Sequence, residues 1–209
     1  MFGVVNIPNA VWIDEEGMIV RPAEPAWPER QRPAESSPPA ERPKAPPTAV
    51  PDTTMPARAV RMFEAVGRGK IDRTRYVPAV RDWVANGPAS RFVLDPDAVI
   101  ARSQPRGLDE AEGAAHFELA QHLWQLGDKE AARRHFRKAH RLQPDNWTYK
   151  RQAWSIEPSQ LGPGMERYWQ GPVEGVESEW PYEGDFLTDL ETLQAQDREY
   201  YPLPEDMRS

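Results

Sequence analysis

The run of prolines between Pro22 and Pro56 sets the first limit on what this chain can fold into. Eleven of the 23 prolines fall there, and Val50 and Met55 are almost the only large aliphatic side chains in the segment. Such a stretch cannot bury enough apolar surface to offset the entropy of ordering it. It reads as an extended linker, partly polyproline II. The 209 residues therefore divide into a short N-terminal piece, residues 1–21, the linker, 22–56, a helical region, 57–157, and an acidic, aromatic tail, 158–209.

The chain has no cysteine. Disulfides, thiolate catalysis and cysteine metal sites are excluded for it. There is no basic run followed by an apolar core at the start and no apolar run near the ~18 residues that a bilayer span needs. A cytoplasmic chain with no membrane partner is the expectation. The net charge of −7 is unevenly spread: basic residues dominate from Lys129 to Arg151, acidic ones from Glu174 to Asp206. With no basic stripe along a reading element, nucleic acid is not an expected partner.

The first 21 residues, MFGVVNIPNAVWIDEEGMIVR, read as strands. Val4 to Ile7 ends at Pro8, Ala10 to Asp14 follows, and the turn Glu15-Glu16-Gly17 leads to Met18 to Val20. Continuous apolar runs suggest strands buried on both faces, and Pro8 marks a strand start or a special turn. The series resembles the C-terminal part of a thioredoxin-like domain of the TlpA/ResA type. The resemblance rests on the Ile7-Pro8-Asn9 step, the strand ending in Asp14, the Gly17 turn and the last strand. It implies that Pro8 is the cis proline that faces a dithiol. Asn9 departs from the family's usual Thr, and the dithiol itself is absent. On this reading the hairpin is a truncated remnant, or the chain is a fragment of a longer redox protein. An unrelated hairpin docked on the helices is the alternative.

In the helical region, Ala57 to Val66 carries Val60, Phe63 and Val66 at helical spacing. Arg73 to Asn86 places Tyr76, Val80, Trp83 and Val84 on one face. The two are expected to form a hairpin, a degenerate pair preceding the repeat described next. Arg91 to Pro105 reads as a loop with a short helical or extended piece.

The clearest signal is GAAHFELAQHLWQLGDKEAARRHFRKAHRLQPDN, residues 113–146. It resembles one tetratricopeptide repeat of 34 residues. On that resemblance Leu119 and Ala120 fill packing positions of the first helix, and Leu123 stands for the usual Tyr. Gly127 with Asp128 makes the turn. Ala132, Phe136 and Ala139 pack the second helix on the first, and Pro144 closes the unit. One repeat cannot bury its own faces, so neighbours are needed. Trp147 to Ile156 reads as a following helix that caps it. The resemblance implies a peptide groove lined by Phe117, Gln121, Trp124 and Gln125. The alternative is that Phe117 and Trp124 pack on an adjacent helix.

The overall expectation is a mainly α fold: helical hairpins of tetratricopeptide type, a small N-terminal β-hairpin and a proline-rich linker. The expected role is a non-catalytic protein-interaction module. The alternative is a thiol-disulfide oxidoreductase whose cysteine-bearing part lies outside this chain. No catalytic residue, metal site or cofactor is expected: His116, His122, His135 and His140 lack an i, i+4 pair on either helix. The acidic aromatic tail is expected to fold back over the helices, its carboxylates near Arg133, Arg134, Arg137, Lys138 and Arg141.

Overall fold

The computed structural model describes residues 6–26, 57–69, 74–103, 107–157, 171–200 and 202–208. The fold is mainly helical, with one small antiparallel hairpin near its N-terminus. Val4 and Val5, and residues 27–56 of the expected linker, lie outside the described residues.

The hairpin pairs β1, Asn9–Ile13, with β2, Ile19–Pro25, in the register Ala10 opposite Glu24 and Trp12 opposite Arg21. Asp14 shapes the turn: its side chain accepts the N–H groups of Glu16 (3.1 Å) and Met18 (2.7 Å). Strand β2 runs through Pro22 to Pro25, so the expected linker boundary at residue 22 falls inside the sheet. The prolines are tolerated because the pairing is irregular, with register shifts on either side of Trp12. The Ile7–Pro8 peptide bond is cis.

Two clusters of buried side chains organise the molecule. The smaller joins Trp12 to Tyr76 and Ala79 of α2, Tyr76–Asn86, to Phe92, and to Met207 of the short C-terminal helix Glu205–Arg208. Trp12 stacks on Trp83 with ring centroids 4.9 Å apart, and its indole N–H donates to the Tyr76 hydroxyl at 3.1 Å. Helix α3, Pro96–Arg102, begins at Asp95, whose carboxylate accepts the Ala98 N–H. The stretch from Arg91 to Pro105 thus contains a short helix.

The larger cluster is built from α1 (Ala57–Arg68), α4 (Leu108–Gln125), α5 (Lys129–Leu142), α6 (Trp147–Ser155) and α7 (Phe186–Ala195). Helices α1 and α2 therefore do not form the expected hairpin: α1 buries Met62 in this cluster, and α2 buries Tyr76 in the other. The face of α1 also differs from the expected one. Val60, Phe63 and Val66 are 43–50 % exposed, while Ala59, Met62 and Ala65 face inward. Both sides of this helix carry apolar residues, and only the small-residue side lets α7 approach closely. The Gln194 side chain reaches the Ala65 carbonyl at 2.7 Å.

One side chain ties the hairpin to the other end of the chain. Arg21 is fully buried. It makes a two-point contact with Glu24, donates to the Phe92 carbonyl at 2.6 Å, and makes a second two-point contact with Asp206 at 2.8 and 3.1 Å. Its guanidinium also lies 5.5 Å from the centre of the Trp12 ring. A buried cation is tolerated only when its partners replace lost hydration. The Arg21→Met variant leaves Glu24 buried without its cation. It should lose about 3–5 kcal/mol of stability, read as a lower midpoint in urea denaturation; an unchanged midpoint would sink this account of Arg21.

Candidate functional site

Helices α4 and α5 form the antiparallel pair that the sequence pattern predicts. The turn between them needs Gly127, at φ 89°, and Asp128, whose carboxylate caps α5 through the Ala131 N–H. At the crossing, Ala120, Ala132 and Ala139 are fully buried, and Phe136 is 1 % exposed. The Phe136 ring leans on Phe117 at 5.6 Å, and Phe117 stacks on Tyr149 of α6 at 4.0 Å. Where the pair closes, Gln143 donates to the Glu110 carbonyl and accepts from Asn146, both at 2.8 Å. Asn146 in turn caps α6 through the Tyr149 N–H. A Cβ on Gly113 would lie 2.8 Å from the Gln143 amide nitrogen, so a larger residue there would force the Gln143 side chain, and its bond to the Glu110 carbonyl, to shift. Pro144 sits exposed in the turn before α6.

The expected groove residues separate. Phe117 is 3 % exposed and sealed by Tyr149, so it belongs to the core and is withdrawn from any groove. Gln121 and Trp124 are half-buried, and Gln125 is exposed. The Trp124 ring carries Lys129 at 5.2 Å and Arg133 at 6.0 Å from its centre. Leu119 also departs from expectation. It is 41 % exposed, because among the described residues nothing stacks on that side of α4. Leu126 (69 %) and Leu108 (88 %) share this outer side.

The basic face of α5 meets the segment after residue 171. Arg133 donates to both oxygens of Glu157, at 3.0 and 2.6 Å, and the Tyr182 hydroxyl donates to the same carboxylate at 3.2 Å. Arg137 donates to the Pro181 carbonyl at 3.0 Å, and Arg141 pairs with Glu183. Lys150 of α6 reaches Asp189 at 2.6 Å. From the other side, Arg58 of α1 pairs with Asp185, and Arg61 pairs with Glu191 at 2.9 Å. Asp185 is also the N-cap of α7: it accepts the N–H groups of Leu187 and Thr188, and Thr188 returns the bond to the Asp185 N–H. Buried Leu187, Leu190 and Leu193 complete the contact. The hydrogen bond to Glu157 holds the Arg133 guanidinium above its ordinary range, and burial followed by the nearby Glu157 pushes the Tyr182 hydroxyl up.

Two histidine environments follow from this packing. His116 of α4 and His135 of α5 meet across the pair with Nδ1 atoms 2.7 Å apart, so one donates and the other accepts. Burial, and then the neighbouring His116, lower the His135 pKa. The i, i+4 test missed this pair because it links two helices. Among the described residues there is no cluster of three or more His, Asp and Glu side chains suited to a metal ion. His140 lies between Trp154 (6.0 Å) and Tyr182 (5.3 Å), and its buried Nε2 has no hydrogen-bond partner among the described residues. Burial first, and then the charge of Lys150, lower its pKa to about 4.

Small residues at the crossing, a glycine turn and a large aromatic knob define a helical-repeat unit. Residues 113–146 match the family model of the tetratricopeptide repeat. No curated protein and no solved structure matches the chain. Repeats of this type typically mediate protein–protein contacts. No helix among the described residues is long and apolar enough to cross a membrane.

Two outcomes follow. His140 is neutral when folded and titrates near pH 6.5 when unfolded, so the unfolded chain binds more protons between these values. Stability is fully present above about pH 6.5 and is lost as pH falls toward 4, by at most about 3 kcal/mol. The His140→Leu variant should flatten this part of the profile of unfolding free energy against pH; an unchanged slope would assign the effect elsewhere. Ending the chain after Glu157 uncovers the side chains that Leu187, Leu190 and Leu193 cover, at roughly 1.5–3 kcal/mol each. The melting temperature should fall by about 10 °C or more, with faster proteolysis of α5 and α6.

Proposed function

We propose that the chain is a protein-interaction module whose docking face is the outer side of α4. One observation carries this reading: Leu119, a packing position of the repeat pattern, is 41 % exposed, and Leu126 and Leu108 lie on the same side. In a helical array such a side is covered by a neighbouring helix. Here α6, α7 and α1 occupy the other sides of the pair, and the outer side of α4 is left for a helix from a partner. Trp124, Gln121 and Gln125 lie about 100° or more round the helix from the leucines, so this polar and aromatic strip is separate from the docking face.

The N-terminal hairpin enters this proposal as the remnant of a thioredoxin-like fold. Support comes from the Ile7-Pro8-Asn9 step, the run to Asp14 and the Gly17 turn. Thiol exchange would require a dithiol from outside these residues, since the chain has no cysteine. The purified polypeptide is expected to give no disulfide-reductase turnover.

Crosslinking in cells tests the docking face. A photoreactive residue at position 119 should capture a discrete protein that the same residue at exposed Gln152 does not. Leu126→Glu should abolish that adduct while changing unfolding stability by less than about 0.5 kcal/mol, because the side chain is already in water. Identical capture at both positions, or none at 119, would overturn the proposal.

A further inference from the structure

The cluster around Trp12 leaves an open groove of about 940 Å³ between the hairpin turn, the end of α2 and α3. Its walls include Ile13, Met18, Val84 and Ile100, which are 51, 65, 77 and 59 % exposed. Trp83 and Val99 also line it. These side chains form one contiguous apolar surface, unlike the scattered exposed aliphatics of an ordinary monomer. Neither the repeat nor the outer face of α4 contributes to it.

Among the described residues, the charged side chains that line the groove are of one sign: Asp14, Glu15 and Glu16. Asp14 is held in place by its two turn hydrogen bonds, so its charge is fixed at the rim. The adjoining backbone is already in use: the Val20 carbonyl accepts the Leu94 N–H at 3.2 Å. At that point the edge of β2 is closed to an added strand. An occupant must therefore bring its own satisfied backbone, an apolar stripe and positive charge.

We propose that this groove docks the apolar face of a cationic amphipathic helix of a partner protein. A helix is ~10–12 Å across with its side chains, a shape that an open trough accepts. Its Lys and Arg side chains would lie over Asp14, Glu15 and Glu16. A second copy of this chain is a poor match. Each copy has a net charge of −7, and the basic side chains Arg133, Arg137 and Arg141 of α5 are already engaged.

The test uses the full chain and two labelled amphipathic peptides of about 16 residues, long enough for helix, with one leucine pattern. One carries lysine on its polar face, the other glutamate. Fluorescence anisotropy should give micromolar binding of the lysine peptide and binding at least ~10-fold weaker for the glutamate peptide. Val84→Asp and Ile100→Asp, both at exposed positions, should each weaken the lysine peptide at least ~10-fold with circular dichroism unchanged. Leu119→Glu, on α4, should leave binding intact, which separates this site from the docking face proposed above. If Val84→Asp leaves affinity unchanged, the peptide is held by general attraction to an acidic chain and the proposal fails. It fails equally if the glutamate peptide binds as well. It also fails if sedimentation velocity shows a dimer that Val84→Asp dissolves, since the occupant is then a second copy.

Discussion

A single buried arginine holds the ends of the described structure together. Arg21 sits opposite Trp12 in the hairpin, and it contacts Glu24 in its own strand, the Phe92 carbonyl before α3 and Asp206 in the last helix. The Arg21–Asp206 contact joins residues 185 positions apart. A two-stranded hairpin is marginal in water by itself. This one persists because Trp12 is packed by Tyr76, Trp83 and the Arg21 guanidinium. The desolvation of Arg21 is offset only while both carboxylates stay in place, so the hairpin, the loop before α3 and the short last helix are ordered together. The Asn6 side chain adds a further tie, donating to the Tyr200 carbonyl at 3.0 Å.

The same logic, with smaller desolvation, governs the helical half. A lone helical pair exposes the faces that an array would stack. Here one face is covered from within the chain. The cations of α5 and α6 meet Glu157, Glu183 and Asp189, while Leu187, Leu190 and Leu193 fill the apolar space. The polar and apolar parts of this contact depend on one another. Arg133 is held at Glu157 because Tyr182 closes over the same carboxylate. His140 is kept neutral because Tyr182 and Trp154 exclude water from it. What the segment does not cover, the outer side of α4, is where the functional reading falls.

Much of the helical pair was legible in advance because its determinants are local. The Gly127 turn, the Asp128 cap and the spacing of Ala132, Phe136 and Ala139 act within one supersecondary unit. Leu119 is exposed, and Phe117 takes the packed alternative rather than the groove, for a shared reason: periodicity tells which side of a helix is apolar, and the neighbours decide which apolar side is covered. On α1 the bulky residues Val60 and Phe63 outweighed Ala59 and Ala65 in the pattern, yet the alanines permit the close approach of α7. The His116–His135 contact was invisible to intervals counted along one helix, since it joins two.

The order of the residues alone determined that this chain has no thiol chemistry of its own, that residues 113–146 make two helices, and that acidic and basic surfaces are segregated along the chain. These follow from side-chain inventory and short-range spacing. Tertiary structure alone decided that Arg21 is buried rather than solvated, that α1 and α2 belong to different cores, and that an apolar trough opens beside the acidic turn. Each of those depends on which distant segments supply counter-charge and van der Waals contact, information carried by no local stretch of sequence.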